Sequence, residues 1–474
     1  MTGTMDAIVV GSGPNGLAAA IYLQQKGLST MVVEGSDIPG GSLRTSEITL
    51  PGFKHDLCSA IHPLAFSSPF YSTLPLKEHG LSWVFPDIPF AHPLQNGKAL
   101  AVFRDPAITA DLLGTDGKNY LRIVGKLMQD WEILQHDILG PVTWPGDLRR
   151  FLRFIPYALS SAGRFVNRHF IEDDTKTLFY GAAAHSTLAL DWYATASFGI
   201  ILTILAHTTG WPFPLGGAGN LAKALIGYYQ SLGGMLSCGR KVEDMTDLPP
   251  ARMYLLDLTP RQVLKLENTK LSGLYRKRLA GYSYGAGAFK VDWALNNPVP
   301  FRNELCRKAG TVHLGFTPDE IERSEKLIQY GKVSQKPYVL LAQHSLFDST
   351  RAPHGKHTAW AYCHVPHNDP VDMTEFIENQ IEKAAPGFRD CILQRTTHNT
   401  HEMERLNPNL VGGDINGGRQ DITQLFTRPV ARLSPYTTPD PKLYICSSST
   451  PPGGGVHGMC GYHAAKKAYR DHFG

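Results

Sequence analysis

The sequence predicts an α/β fold (α+β over the whole chain), in which a doubly wound parallel sheet is joined to a second region of mixed sheet and helices. Three observations carry this. An apolar run, a glycine-rich turn and an alanine-rich helix open the chain and lead into a second apolar run. A strand, a glycine-dense loop and a helix close it. Between them lie helical stretches and then several strand-like segments, in 474 residues. That length suits two to four units of roughly 100–200 residues each.

In chain order, Ala7-Ile8-Val9-Val10 suits a strand buried on both faces. Residues 17–25 read as a helix stopped by Gly27, and residues 30–34 as a second strand, which completes a βαβ crossover. Helical stretches are expected at 120–139, at 148–168 with a break at Pro156, and at 187–206. A glycine-flanked helix follows over 216–234, and Val242 and 254–258 read as short strands. Strand-like segments recur between 289 and 360, including 338–343 and one at 358–365. Phe376, Ile377 and Ile381 give 373–383 helical spacing. Residues 443–446 form the last expected strand, ahead of a terminal helix. Elements of the parallel sheet thus sit at both ends and in the middle. A discontinuous domain over 1–75, 210–285 and 420–474 is expected, with a second domain from 76–209 and 286–419.

Composition removes several classes. Hydrophobic residues are 42% and charged residues 19%, with 46 glycines and 33 prolines, a turn-rich globular balance rather than disorder, collagen or coiled coil. A net charge of +4 with no block of like sign lacks the electrostatic footprint of a nucleic-acid binder. Seven scattered cysteines without a C-x-x-C pair argue against a disulfide framework, a thiolate zinc site or a dithiol redox centre. Reduced thiols and the absence of a signal-type N-terminus point to a cytoplasmic protein. The longest apolar run, 193–206, is short for a membrane span.

The opening turn is Gly11-Ser12-Gly13-Pro14-Asn15-Gly16, between strand and helix, where a Rossmann fingerprint belongs. Gly11 permits the tight turn, Gly13 lets backbone approach a pyrophosphate, and Gly16 lets helix and strand pack. Glu34 lies 18 residues beyond Gly16 at the end of the second strand, placed for ribose hydroxyls. Gly41, Ser42 and Arg44 follow in a glycine-pair loop with a cation, suited to a second approach to the pyrophosphate. Gly217-x-Gly219-x-x-Ala222 has similar spacing, but Pro212 and Pro214 precede it and prolines cannot donate to a buried strand. It reads as a loop entering a helix, so one nucleotide-binding fold is expected, not two.

The C-terminal run Ser447-Ser448-Ser449-Thr450-Pro451-Pro452-Gly453-Gly454-Gly455-Val456-His457-Gly458-Met459 resembles the flavin motif of phytoene-desaturase-like flavoproteins, within the larger glutathione-reductase/amine-oxidase family. Gly41–Arg44, Pro51-Gly52-Phe53, Pro214-x-Gly216-Gly217 and Arg428-Pro429 fall in the same order. Asn407-Pro408-Asn409-x-Val411-Gly412-Gly413-Asp414 resembles a branch typified by pyridine nucleotide-disulphide oxidoreductase domain-containing proteins. Ser447 and Ser449 stand where carotenoid desaturases usually carry glycine, and His457 where they often carry proline. The resemblance implies a Rossmann-like FAD-binding domain and a substrate domain. It assigns FAD contacts to Gly11, Ser12, Gly13, Pro14, Asn15, Gly16, Glu34, Gly41, Ser42, Arg44, Val242, Ser449, Gly458 and Met459, with Val242 serving adenine through its backbone.

It also implies FAD-dependent dehydrogenation or oxidation of a bulky apolar, isoprenoid- or lipid-like substrate by hydride transfer. The alternatives are an amine or alcohol oxidase using oxygen, and a flavin-holding interaction protein with little turnover. His457, in the loop expected over the flavin, is the first candidate for handling a proton, followed by Tyr462 and His62. Trp211 and Phe213 suit either a substrate tunnel or core packing. The His-x-x-His pairs His354/His357, His364/His367 and His398/His401 read as loop histidines, so no metal is expected. The stretch 148–170 is basic and amphipathic, a composition suited to peripheral contact with an anionic membrane.

Overall fold

The computed structural model describes residues 4–474. Strand β1 (Met5–Val10) feeds helix α1 (Pro14–Gln25), which returns to β2 (Thr30–Val33). Both strands are buried along their centres, so neither shows a polar face, as a parallel sheet covered on both sides requires. β3 (Ala251–Leu256) pairs in parallel with β1, and Leu443–Ile445 in parallel with β3. Met235–Ser237 adds to the other edge beside β2. The resulting five-stranded parallel sheet gathers segments from the beginning, middle and end of the chain. The C-terminal helix (Met459–Phe473) lies against α1, and Gly461 permits this approach: a Cβ there would sit 1.8 Å from the Asn15 carbonyl.

The second sheet has seven strands, and all its pairings are antiparallel except one. Its centre includes β4 (Gly287–Leu295) and β5 (His357–Val365). β4 is buried along its whole length, yet its alternating residues serve different faces. Phe289, Val291, Trp293 and Leu295 enter an apolar cluster with the helix Thr374–Ala384, whereas Ala288 and Lys290 face a cavity. A helical layer containing α2 (Leu148–Ala158) and α3 (Thr195–Thr208) encloses the other side of that cavity.

Three expected elements differ. Residues 187–194 are not helical, because Thr187 and Ala194 both take left-handed backbone, and α3 begins only after Ala194. Pro156 sits inside the last turn of α2 instead of ending it. The break falls at 159–161, where the Ser161 hydroxyl accepts from Arg164 N–H and caps the next helix. Val242 belongs to no strand.

Buried imidazoles make this fold acid-sensitive. Burial pulls His62, His92, His207, His457 and His463 down to about 4. In the unfolded chain each titrates near 6.5. Their contribution to stability is therefore complete above about pH 6.5 and is lost as pH falls towards 4. Asp257 and Asp414, raised by burial, act in the opposite sense but are fewer. The melting temperature is expected to hold steady from pH 7 to 8 and to fall steeply between about pH 6 and 4, in calorimetry at constant ionic strength. A flat profile there would contradict this account.

Candidate active site

The end of β1 opens into the glycine turn, and α1 starts at Pro14 with no side-chain cap and no acidic residue in its first turn. Its positive end faces the cavity, with one of its free amides, that of Gly16, taken by the Asp257 carboxyl. The turn is tight: a Cβ on Gly16 would lie 2.1 Å from the Gly11 carbonyl oxygen. A second glycine loop presses on the first, because Gly41 has φ +59° and its Cβ would lie 2.8 Å from Gly13 Cα. Glu34 ties the two loops together. Its carboxylate accepts from Ser12 N–H (2.8 Å), from the Ser12 hydroxyl (2.6 Å) and from Ser36 N–H (2.8 Å). The Ser12 hydroxyl in turn accepts from Gly40 N–H. Arg44 reaches the Leu406 carbonyl, which leaves its buried Nε without a partner on the cavity wall.

These residues fit a dinucleotide. The remaining free amides of the helix end and the orphaned guanidinium N–H match a pyrophosphate, and a carboxylate closes the second strand where ribose hydroxyls bind. Gly16 supports the turn from beneath. Asp257, at the end of β3, supports it too: its Oδ2 accepts from Gly16 N–H at 3.0 Å. Burial pushes this carboxyl up to about 7, and the negative charge of Glu34 acts in the same sense.

The cleft continues into a deep chamber, and together they form one cavity of about 1480 Å³. A single small-molecule pocket spans about 300–1,000 Å³, so a dinucleotide and a second molecule have room together. The chamber wall is built from Leu202 of α3, Trp211, Leu340, and Trp360 and Tyr362 of β5. Polar groups are few. Lys290 is ion-paired with buried Asp292, and its ammonium lies 5.7 Å from the Trp360 ring centroid. Asp292 also lies 3.5 Å from His55 Nδ1. The wall residue His185 meets His313 with Nε2 to Nε2 at 3.0 Å, and burial holds His185 near 3, so it is uncharged at neutral pH. The Thr311 hydroxyl and the Trp360 indole N–H, in two wall residues, have no partner.

Of the residues singled out in the sequence, Gly11, Ser12, Gly13, Pro14, Asn15, Glu34, Gly41, Ser42, Arg44 and Val242 stand on this wall, with His62 and Trp211 in the chamber. Phe213 is in the core, edge-on to His344. Gly16 lies beneath the turn, and five others stand off the wall. His457 is buried and its Nδ1 accepts from Met459 N–H at 3.0 Å, so this imidazole caps the C-terminal helix. Tyr462 stacks on Phe70 with centroids 4.8 Å apart, against α1. Ser449 donates to the Gly417 carbonyl, Met459 is in the core, and Gly458 abuts the Tyr71 ring. Asp257, Lys290 and His185 were not singled out. The Lys290–Asp292 pair had a signal: two charges at strand spacing inside the apolar run Phe289–Leu295. Among the described residues, no group of three or more His, Cys, Asp or Glu could hold a metal ion.

Residues 9–72 match the family model of an NAD(P)-binding Rossmann-like domain. The chain is 27% identical to mouse pyridine nucleotide-disulfide oxidoreductase domain-containing protein 2, over 98% of this chain and 93% of that one. It is 24% identical to the lycopene-forming phytoene desaturase of Pseudescherichia vulneris, over 95% and 96%. A crystal structure of an oxidoreductase from Methanosarcina mazei superposes with TM-score 0.65 at 17% identity, covering 98% of this chain and all of that one (100%). Putrescine oxidase bound to putrescine superposes at 0.62 and 16% identity, covering 98% and 99%. The chain thus has a Rossmann-type nucleotide-binding domain, is homologous nearly throughout to the mouse protein and the phytoene desaturase, and shares the fold of the two solved structures.

Proposed function

We propose that the protein is an FAD-dependent oxidoreductase that dehydrogenates or oxidises a bulky apolar molecule of isoprenoid or lipid type. The observation that carries this reading is the continuity of the cavity, from the glycine turn and Glu34 to a chamber walled by Leu202, Trp211, Leu340 and Trp360. Full-length similarity to a phytoene desaturase supports the substrate class. FAD, when bound, supplies a hydride acceptor. The α1 amide end and Arg44 hold its pyrophosphate, and Glu34 receives ribose hydroxyls. The aromatic and aliphatic walls exclude water and orient the substrate. Asp292 neutralises Lys290, and His62 and His185 are uncharged at pH 7, so the chamber presents little net charge to an apolar molecule.

Protein reconstituted with FAD and kept anaerobic is expected to lose its visible flavin absorbance on mixing with isoprenoids or long-chain lipids. Bleaching by small amines or alcohols instead, with peroxide released in air, would replace this reading with that of an oxidase. Tight FAD that no compound reduces would replace it with a flavin-holding role.

A further inference from the structure

We propose that α2 and the loop before it form a docking face for an anionic lipid bilayer. Leu148, Leu152, Ile155 and Leu159 recur at helical spacing and share one side of the helix, at right angles to the side that buries Phe154 and Ala158. An amphipathic helix ordinarily hides such a stripe, but here Leu152 is 59% exposed, and Leu148 and Leu159 are also open to solvent. The loop that leads into the helix exposes two more apolar side chains, Val142 at 70% and Trp144 at 82%. No helix among the described residues is long and apolar enough to cross a membrane, so the face would lie in the interface without spanning it.

Charge decides the occupant. Between 139 and 171 stand five arginines and one aspartate, ahead of the acidic Glu172, Asp173 and Asp174 at the start of the next helix. Asp130 and Asp147 hold Arg150, and Asp130 holds Arg153. Arg149, Arg164 and Arg168 are exposed and make no ion pair with the described residues. Exposed leucines and a tryptophan within one short stretch of chain that also carries unpaired arginines complement acyl chains beneath anionic headgroups. A second copy is disfavoured, because a two-fold contact through this face would bring the arginines of both copies together. α2 packs on α3, whose Leu202 lines the chamber, so the face lies one helix away from the cavity.

Co-sedimentation with vesicles tests the proposal without any substrate, so its outcome is independent of the reaction assigned above. The purified full chain is expected to pellet with phosphatidylcholine vesicles containing phosphatidylserine, and far less with phosphatidylcholine alone or at high salt. The triple variant Arg149→Gln, Arg164→Gln, Arg168→Gln should bind on the order of a hundredfold more weakly. Trp144→Ala with Leu152→Glu should abolish pelleting, while unchanged melting temperatures show that both variants fold. Equal pelleting of wild type and variants, or none with anionic vesicles, overturns the proposal. So does concentration-dependent dimerisation that Trp144→Ala with Leu152→Glu removes, which would give the face to a second copy.

Discussion

Gly16→Val is expected to give a protein that retains no FAD after gel filtration and melts well below the wild type. The reason is local and rigid. A Cβ at residue 16 would sit 2.1 Å from the Gly11 carbonyl, and the neighbour it meets is backbone, not the tip of a flexible side chain. Either the turn opens or α1 shifts, and both move the amides that face the pyrophosphate. The shift also reaches the C-terminal helix, because Gly461 is fitted against the Asn15 carbonyl. Overpacking of this kind costs about 1–3 kcal/mol, and the branched side chain places the variant at the upper end or beyond. Gly125→Ala is the matched control. It lies in the helix Gly117–Ile138, where a Cβ meets nothing within 4 Å, and should leave FAD binding untouched while stabilising the helix by up to about 1 kcal/mol. Flavin absorbance and calorimetry on the two variants give the answer. Full FAD occupancy in Gly16→Val would remove the glycine turn from the binding site.

How much of this was legible beforehand follows the range of the interactions. The glycine turn, Glu34 and the Gly41–Arg44 loop lie within thirty-odd residues of one another, and at Gly11 and Gly41 the signal rests on left-handed backbone that favours glycine. All three contribute to the cavity wall, though Gly16 itself lies beneath the turn. The chamber is another matter. His185, Leu202, Lys290 and Trp360 come from four separate segments, and nothing in their local spacing announces that they meet. His457 shows the limit most sharply. Its loop suggested a histidine over the cofactor, but the Met459 amide at the helix start captures its Nδ1 and turns it inward. Tyr462, one turn into that helix, is claimed by Phe70 and Tyr22 for the same reason, since that helix face packs on α1. Asp257 carries no local signal, because it lies inside the stretch 254–258 that reads as a strand, whereas the strand ends at Leu256. Its meaning depends on parallel pairing with β1, which carries it beneath a turn some 240 residues away.

That carboxyl leads to the second large effect: FAD should bind progressively more weakly as pH rises above about 7, and Asp257→Asn should remove the dependence. Asp257 faces Glu34 from the end of β2, Tyr71 from the turn that packs on α1, Cys446 after the last strand and Cys460 in the C-terminal helix. None of these supplies positive charge. The N–H groups of Gly16 and Gly13 favour the carboxylate, but burial outweighs them and Glu34 adds to it, so the group titrates at about 7. A pyrophosphate above the same turn brings further negative charge and raises the carboxyl again, so the cofactor binds together with a proton. Affinity is then constant below about pH 6 and falls about tenfold per pH unit above 7, until the carboxyl of the complex itself ionises. Asparagine keeps an acceptor for Gly16 N–H and carries no charge at any pH. Its FAD affinity should be level from pH 6 to 9 and exceed the wild type's at the alkaline end. The cofactor-free protein gives an independent reading. The folded carboxyl titrates above its unfolded value of 3.8, so Asp257 costs stability increasingly as pH rises from about 4 to 7. Asp257→Asn should therefore raise the melting temperature at pH 8 and leave it nearly unchanged at pH 4. Flavin fluorescence on release, measured across pH for both proteins, decides the first point. Parallel slopes would show that Asp257 does not sense the bound cofactor.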